Sequence, residues 1–201
     1  MHPALKKLLL VNGFMGITLF SLVTFFLIPQ VFVHASPPIE LTPVVAFSKQ
    51  TISGLPVRLT IPKINVDAAF EHVGLTSAGV LDTPKVPAHV AWFDKSPRPG
   101  EKGNSVVDGH YGWKDDIPAV FDALHQLQKG DMVYVVDDAG MTTAFTVRES
   151  RIYNENEDVS VLFGIDDGEA HLNLVTCGGV WNSTEKSYST RLVVFTDKNY
   201  E

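Results

Sequence analysis

The chain has 201 residues, a formal net charge of −7 at pH 7 and a single cysteine. Only three of its basic residues and one of its acidic residues precede residue 55, so residues 55–201, with 13 basic and 22 acidic residues, carry a formal net charge of −9. A negatively charged domain argues against nucleic acid or an anionic lipid surface as its partner. The lone cysteine excludes an internal disulfide, so its thiol serves either packing or reactivity.

The first segment predicts a membrane anchor. Residues 8–33 contain no charged side chain and follow Lys6 and Lys7. As a helix they would span roughly 39 Å, enough to cross a hydrocarbon core of about 30 Å. The paired lysines favour a cytoplasmic N-terminus, residues 1–7, with the rest of the chain on the extracellular face of the plasma membrane. The alternative is a cleaved signal peptide, although this apolar region is far longer than the usual ~7–15 residues.

Two further regions follow the predicted anchor. Residues 34–54 are rich in Pro, Ser and Thr and predict a semi-rigid linker. Residues 55–201 have the length of one domain with its own core. We therefore expect a single extracellular domain held at a distance from the membrane.

The patterns in this domain are mostly those of strands. Runs rich in β-branched residues, many of them bounded by turn residues, predict strands at 57–61, 104–108, 132–136, 143–149, 172–176 and 191–196. Helical spacing of apolar residues is found only over residues 119–127 and, more weakly, 159–165. Many short strands with few helices predict an all-β domain, either a closed barrel or a sandwich.

Three residues in separate segments have the chemistry of an acyl-transfer site. Cys177 follows a predicted strand and precedes two glycines, His110 lies between glycine-containing turns, and Arg191 begins the last strand. A cysteine attacks as the thiolate, which a nearby cation favours. A guanidinium or imidazolium also stabilises the oxyanion that forms during acyl transfer. The alternative is a buried, unreactive thiol, since free cysteines are among the most buried residues.

These residues also carry a family resemblance. The run Leu174-Val175-Thr176-Cys177 resembles the signature of the sortases, the surface cysteine transpeptidases of Gram-positive-type bacteria. Other segments similar to the family are residues 59–67, 73–75, 79–81, 90–93 and 99–104. The resemblance implies an eight-stranded β-barrel in which His110, Cys177 and Arg191 are the catalytic residues. The continuation Cys177-Gly178-Gly179 is more similar to the D, E and F classes than to A or B.

The resemblance also implies a reaction. The Cys177 thiolate would cleave an LPXTG-like sorting signal of a surface protein at its Thr–Gly bond and form a thioester. His110 would protonate the departing amine, and Arg191 would stabilise the oxyanion or position the substrate. An amine of a peptidoglycan precursor or a pilin lysine would then take the acyl group. Thr176 and the segment 154–170 are the expected substrate contacts.

Other functions stay open at this stage. A cysteine hydrolase on the same scaffold would release proteins instead of attaching them, and a non-catalytic surface module would only bury Cys177. Asp108, two residues before His110, departs from the small or apolar residue more often found in the family. It would lie on the same face of a strand as His110.

The sequence predicts no metal or other cofactor. The acidic residues Glu155, Glu157, Asp158, Asp166, Asp167 and Glu169 have the side chains that calcium prefers. They lack the fixed ligand spacing of a calcium loop, so a solvated acidic surface is the favoured interpretation.

The membrane prediction can be tested on the native protein. If residues 8–33 are an uncleaved anchor, the protein should stay in the membrane fraction after a high-salt wash and keep its N-terminal residues. Fractionation followed by N-terminal mass spectrometry measures both properties. Recovery of a soluble form that begins at Ser36 would contradict the anchor and establish a cleaved signal peptide.

Overall fold

The computed structural model describes residues 53–112, 117–164 and 167–200. Contacts divide the chain into two units, residues 1–47 and 48–201, and the described residues belong to the second. Eight strands form a closed barrel in the order β1-β2-β3-β4-β7-β8-β6-β5. Their bounds are β1 Pro56–Ile61, β2 Val66–Val73, β3 Val90–Phe93, β4 Gly103–Gly109, β5 Met132–Asp137, β6 Thr142–Asn154, β7 Ala170–Asn182 and β8 Ser187–Lys198.

Strand β7 is the strand that organises one side of the barrel. It pairs in parallel with β4 and antiparallel with β8. The other parallel pair is β2 with β3, and all other neighbours around the barrel are antiparallel. The last residues of β7 and the first residues of β8 lie beyond the end of β4.

Alternate residues of β4, β7 and β8 pack into two different clusters. Val107, Leu174 and Val194 face the barrel interior, where they join fully buried side chains such as Phe145. The residues next to them face outward into a second cluster whose members are Val106, Val175, Val193, Phe195, Phe93, Tyr153 and Leu162. Successive side chains of a strand point to opposite faces, so both faces of this part of the sheet are packed.

The structure confirms the eight-stranded barrel and excludes the sandwich. Each of the six strands predicted from the residue pattern is present, most of them longer than predicted, and β2 and β3 complete the barrel. Each of the two predicted helical segments contains a short 3-10 helix, Leu124–Gln126 in the first and Ser160–Leu162 in the second. In the first segment the fully buried side chain of Phe121 packs into the barrel core.

The predicted anchor, residues 8–33, lies outside the described residues. Within residues 53–112, 117–164 and 167–200, no helix has the length and apolar character needed to cross a membrane.

The end of β4 is packed tightly against the segment that follows it. A Cβ added to Gly109 would clash with Cδ2 of Phe121 and would lie 2.8 Å from Cγ1 of Val120. The Phe121 amide also donates a hydrogen bond of 3.0 Å to the carbonyl of His110. The glycine before His110 therefore lets an aromatic ring close the end of the barrel core.

We expect Gly109→Ala to destabilise the domain by about 1–3 kcal/mol, because the added methyl group overpacks the contact with Phe121. Urea or thermal unfolding measures the change. Gly74→Ala is the matched control, since its new Cβ would have a nearest neighbour 3.8 Å away. Equal stabilities for the two variants would contradict this account of Gly109.

Candidate active site

The strand register places the three predicted catalytic residues at one level of the sheet. Cys177 on β7 pairs directly with Arg191 on β8. On the other side of β7, Asp108 pairs with Val175, and β4 and β7 run in parallel. His110 follows Asp108 by two residues, so it reaches the level of Cys177. All three side chains lie on the outward face, in alternation with the buried interior residues.

A cavity of about 840 Å³ opens at this point. Its lining includes all three predicted residues, together with residues of the β7–β8 end and one residue from the segment between β2 and β3. The full lining is Thr83, His110, Tyr111, Gly112, Cys177, Trp181, Lys186, Ser187, Tyr188 and Arg191. The barrel therefore brings together in one cavity residues that are up to 108 positions apart in the sequence.

The thiol of Cys177 is partly buried, and its surroundings change its pKa in opposite directions. Burial raises the pKa of Cys177, the positive charge of Arg191 lowers it, and the carboxyls of Asp108 and Glu155 raise it again. The net effect is a raised pKa, so at neutral pH the thiol is the resting form. Arg191 is the neighbour that favours the reactive thiolate.

The guanidinium of Arg191 is fixed by residues of its own strand. Its Nη1 donates to the carbonyls of Tyr188 and Thr190 at 2.9 and 3.0 Å, and Nη2 donates to Oγ of Ser187 at 3.3 Å. These contacts orient a long and otherwise mobile side chain. The planar group is therefore positioned beside Cys177 before any substrate binds.

The imidazole of His110 is oriented by a backbone carbonyl. Its Nε2 lies 2.6 Å from the carbonyl oxygen of Pro84. Because a carbonyl only accepts hydrogen bonds, Nε2 carries the proton and Nδ1 is the basic nitrogen of the neutral ring. No residue pattern pointed to Pro84, because its contribution comes from the main chain and not from a side chain.

Glu71 on β2 holds the segment that contains Pro84. Its carboxylate accepts hydrogen bonds from the amides of Lys85 and Val86, at 2.9 and 3.2 Å, and from Nδ1 of His89 at 3.1 Å. Burial opposes ionisation of Glu71, but the hydrogen bonds outweigh it and the pKa of the carboxyl is lowered. We call Glu71 and these three partners the Glu71 clamp. It fixes the residues directly after Pro84.

Aromatic rings form one side of the cavity. Tyr188 contacts Tyr111 and Trp181 edge-to-face, with ring centroids 5.5 and 5.1 Å apart. Trp181 is 51% exposed, whereas Trp92 is buried in the barrel core. Trp113 lies outside the described residues.

Thr176 differs from its expected role. Its side chain is 1% exposed, and its hydroxyl donates to the carbonyl of Gly109 at 2.6 Å. Residues alternate along β7, so Thr176 points away from the face that carries Cys177. Its side chain connects β7 to the residue before His110 and does not line the cavity.

Acidic side chains between β6 and β7 accept hydrogen bonds from nearby backbone amides and from a histidine on β7. Glu157 and Asp158 accept hydrogen bonds from the amides of Asn154 and Ser160, and Asp167 accepts from Nε2 of His171 at 3.0 Å. In the part of the chain that the structure describes, no three His, Cys, Asp or Glu side chains form a group able to hold a metal. The predicted absence of a cofactor stays a prediction.

A closed eight-stranded barrel that brings Cys, His and Arg to one cavity has the groups needed for acyl transfer through a thioester. The sequence profile of the sortase domain matches residues 59–199, and the chain therefore belongs to the sortase family. Among curated protein sequences none matches this chain.

Solved structures agree with this assignment. Sortase C-1 from Actinomyces oris is 26% identical, with 72% of this chain and 73% of that chain covered and a TM-score of 0.58. Sortase C1 from Streptococcus agalactiae is 25% identical, with 72% and 67% covered and a TM-score of 0.55. Sortase A from Corynebacterium diphtheriae, at 22% identity, shares the fold with a TM-score of 0.57 over 74% of this chain and 62% of that chain.

The first prediction of this site is that the Glu71 clamp, by holding the Pro84 segment, positions the imidazole of His110. We expect Glu71→Ala to free the Pro84 segment, to mix the two tautomers of His110 and to lower transpeptidation by roughly 10- to 100-fold, because small misplacements of a catalytic group are costly. Nitrogen-15 NMR of the imidazole reports the tautomer, and a peptide assay reports turnover.

The matched control is Glu101→Ala. Glu101 also accepts a backbone hydrogen bond, from the Arg98 amide at 3.0 Å, but in the turn that precedes β4. If both variants keep the Nε2–H tautomer and full turnover, the clamp does not position His110.

Proposed function

We propose that this sortase is a membrane-anchored transpeptidase that cleaves an LPXTG-like sorting signal between Thr and Gly and joins the protein to an amine. The observation that supports this proposal best is the placement of His110, Cys177 and Arg191 at one level around one cavity. The substrate class follows from the family resemblance. The anchor, residues 8–33, and the extracellular location follow from the sequence pattern.

In the first half-reaction Nδ1 of neutral His110 takes the proton of the Cys177 thiol, and the thiolate so formed attacks the carbonyl carbon of the threonine residue. The electron pair moves to the carbonyl oxygen, and the oxyanion is stabilised by N–H groups of Arg191. The contacts with β8 use three of the five guanidinium N–H groups, and we assign the other two to the oxyanion. The C–N bond then breaks, and His110 as imidazolium gives its Nδ1 proton to the departing glycine amine.

In the second half-reaction an acceptor amine attacks the thioester carbonyl. Neutral His110 takes a proton from this amine, the C–S bond breaks, and Cys177 leaves as the thiolate. One peptide bond is broken and one is formed, so no cofactor is consumed. The acceptor that we propose is a peptidoglycan precursor or a pilin lysine, bound on the side of the cavity where the rings of Tyr111, Tyr188 and Trp181 lie.

The segment 154–170 is the proposed contact for the sorting signal. It follows β6 and precedes β7, and Leu162 fixes it to the outward cluster beside Val175. Phe163 is half-exposed and packs edge-to-face against Phe93, with centroids 5.8 Å apart. An apolar ring at the surface of this segment is suited to the Leu and Pro side chains of such a signal. Membership of the D, E or F classes is proposed from the Cys177-Gly178-Gly179 run.

These catalytic roles predict losses of activity of different sizes in three variants. Cys177→Ala should abolish product, because the chain has no other thiol. His110→Ala should lose at least about 100-fold, since its proton transfers are gone. Arg191→Lys should lose about 100-fold, because one ammonium does not replace a planar fork of donors. Mass spectrometry of the acyl-enzyme, with a library of LPXTG-like peptides, measures the first step.

Arg58→Lys, on the exposed surface of β1, is the matched control and should keep full activity. Amide product that forms only with added amine distinguishes the transpeptidase from a cysteine hydrolase. A wild-type protein that forms no acyl-enzyme with any peptide of the library would contradict the proposed substrate class. Full turnover by Arg191→Lys would remove this residue from the oxyanion role.

A further inference from the structure

Asp108 is a titratable group in the site to which the reaction above gives no role. It is the second-last residue of β4 and pairs with Ala91 on β3 and Val175 on β7. On its strand it shares the outward face with His110, two residues further on. On β7 the next outward residue after Val175 is Cys177. The carboxyl therefore lies beside the triad, diagonal to the nucleophile.

The carboxyl interacts with both members of the Cys177–Arg191 pair. Burial raises the pKa of Asp108 to about 7, and the positive charge of Arg191 acts in the opposite direction. In return, the carboxylate raises the pKa of Cys177. The single positive charge of Arg191 thus stabilises the ionised forms of both Asp108 and Cys177. Ionisation of one of them disfavours ionisation of the other.

Four neighbouring elements place side chains around the carboxyl of Asp108. Strand β3 presents the uncharged Ala91, β7 presents Val175 and the thiol of Cys177, β8 presents Arg191, and the turn after β4 presents His110. Glu155, in the segment after β6, adds a further negative charge that acts on Cys177. Arg191 and the backbone amide of Gly109 favour the ionised form of Asp108, and Arg191 also favours that of Cys177.

We propose that Asp108 is a fourth group of the active site and that it supports catalysis in its neutral, protonated form. When it is neutral, the charge of Arg191 acts on the Cys177 thiolate and on the oxyanion. When it is ionised, it competes for the guanidinium and suppresses the thiolate. The inference rests on the roles of Cys177 and Arg191 proposed above and adds a positioning residue to them.

The effect of Asp108 on the thiol grows as the pH rises. As the pH rises through about 7, Asp108 loses its proton and gains a negative charge. This charge raises the pKa of Cys177, so at alkaline pH the thiolate fraction is smaller than it would be beside a neutral side chain. Below about pH 6 the carboxyl is mostly protonated, and its effect on the thiol disappears.

The test is Asp108→Asn, which replaces the carboxyl by a neutral group of the same shape. Alkylation of Cys177 by iodoacetamide is followed in the full chain, in detergent, from about pH 5 to pH 10. We expect the variant to react about three- to tenfold faster than wild type above about pH 8, and equally fast below about pH 6. Transpeptidation should extend to higher pH in the same variant. A merely structural role would slow the reaction at every pH.

Asp94→Asn, just beyond the far end of β3, is the control and should match wild type at every pH. Equal or lower reactivity of Asp108→Asn above pH 8 overturns the proposal. If that variant does not fold, carbon-13 NMR of the Asp108 carboxyl in the wild-type protein decides: a midpoint near 7 supports the proposal, and one near 4 overturns it.

Alkylation needs no peptide, so the outcome is separate from that of the proposed function. A chain that shows the Asp108 effect but makes no amide product loses the transpeptidase function and keeps this inference. A chain with full transpeptidation and no Asp108 effect loses only this inference.

Discussion

The hydrogen-bond ladder around β7 is the constraint on which the site depends. Strand β7 pairs in parallel with β4 and antiparallel with β8, and these two registers bring His110 and Arg191 to the level of Cys177. A shift of one residue would turn every side chain of a strand to the opposite face. Val193 and Val194 are both fully buried, on opposite faces of the same strand, so such a shift would disrupt two packed clusters at once. Packing on both faces therefore protects the geometry of the site.

Burial changes the pKa values of the acidic groups in this site. Removing water from the Cys177 thiol and from the Asp108 carboxyl raises both pKa values, because the charged forms lose hydration. Arg191 offsets this effect for both groups. The guanidinium is fixed by acceptors of β8, so its charge is available without reorganisation during the reaction. The reactivity of the thiol is thus set by three groups on three adjacent strands, and a change in the charge of one alters the other two.

The orientation of His110 comes from outside this group of strands. Pro84 contributes a carbonyl that fixes the protonated nitrogen, and Glu71 fixes the chain directly after Pro84. Thr176 donates from the barrel interior to the carbonyl of Gly109, the residue before His110. The position of His110 therefore depends on two main-chain carbonyls, those of Pro84 and Gly109. Backbone contacts of this kind tolerate changes in side-chain identity, which is why they leave no residue pattern in the sequence.

The sequence by itself determined the strand-rich composition, the location of Cys177 on one of these strands and, through the run that precedes it, the family. These properties are local, because they depend on residue type and spacing within a few positions. The expected position of Cys177 at a strand end was wrong, because β7 continues to Asn182 and pairs with β8 beyond the cysteine. The tertiary structure decided the rest. It limited the helix within residues 119–127 to one 3-10 turn, with Phe121 buried in the barrel core, and it directed a main-chain carbonyl at His110. It also gave Asp108 a neighbour 83 positions away, Arg191. Burial and long-range register decide such contacts, and neither is encoded in any short segment of the chain.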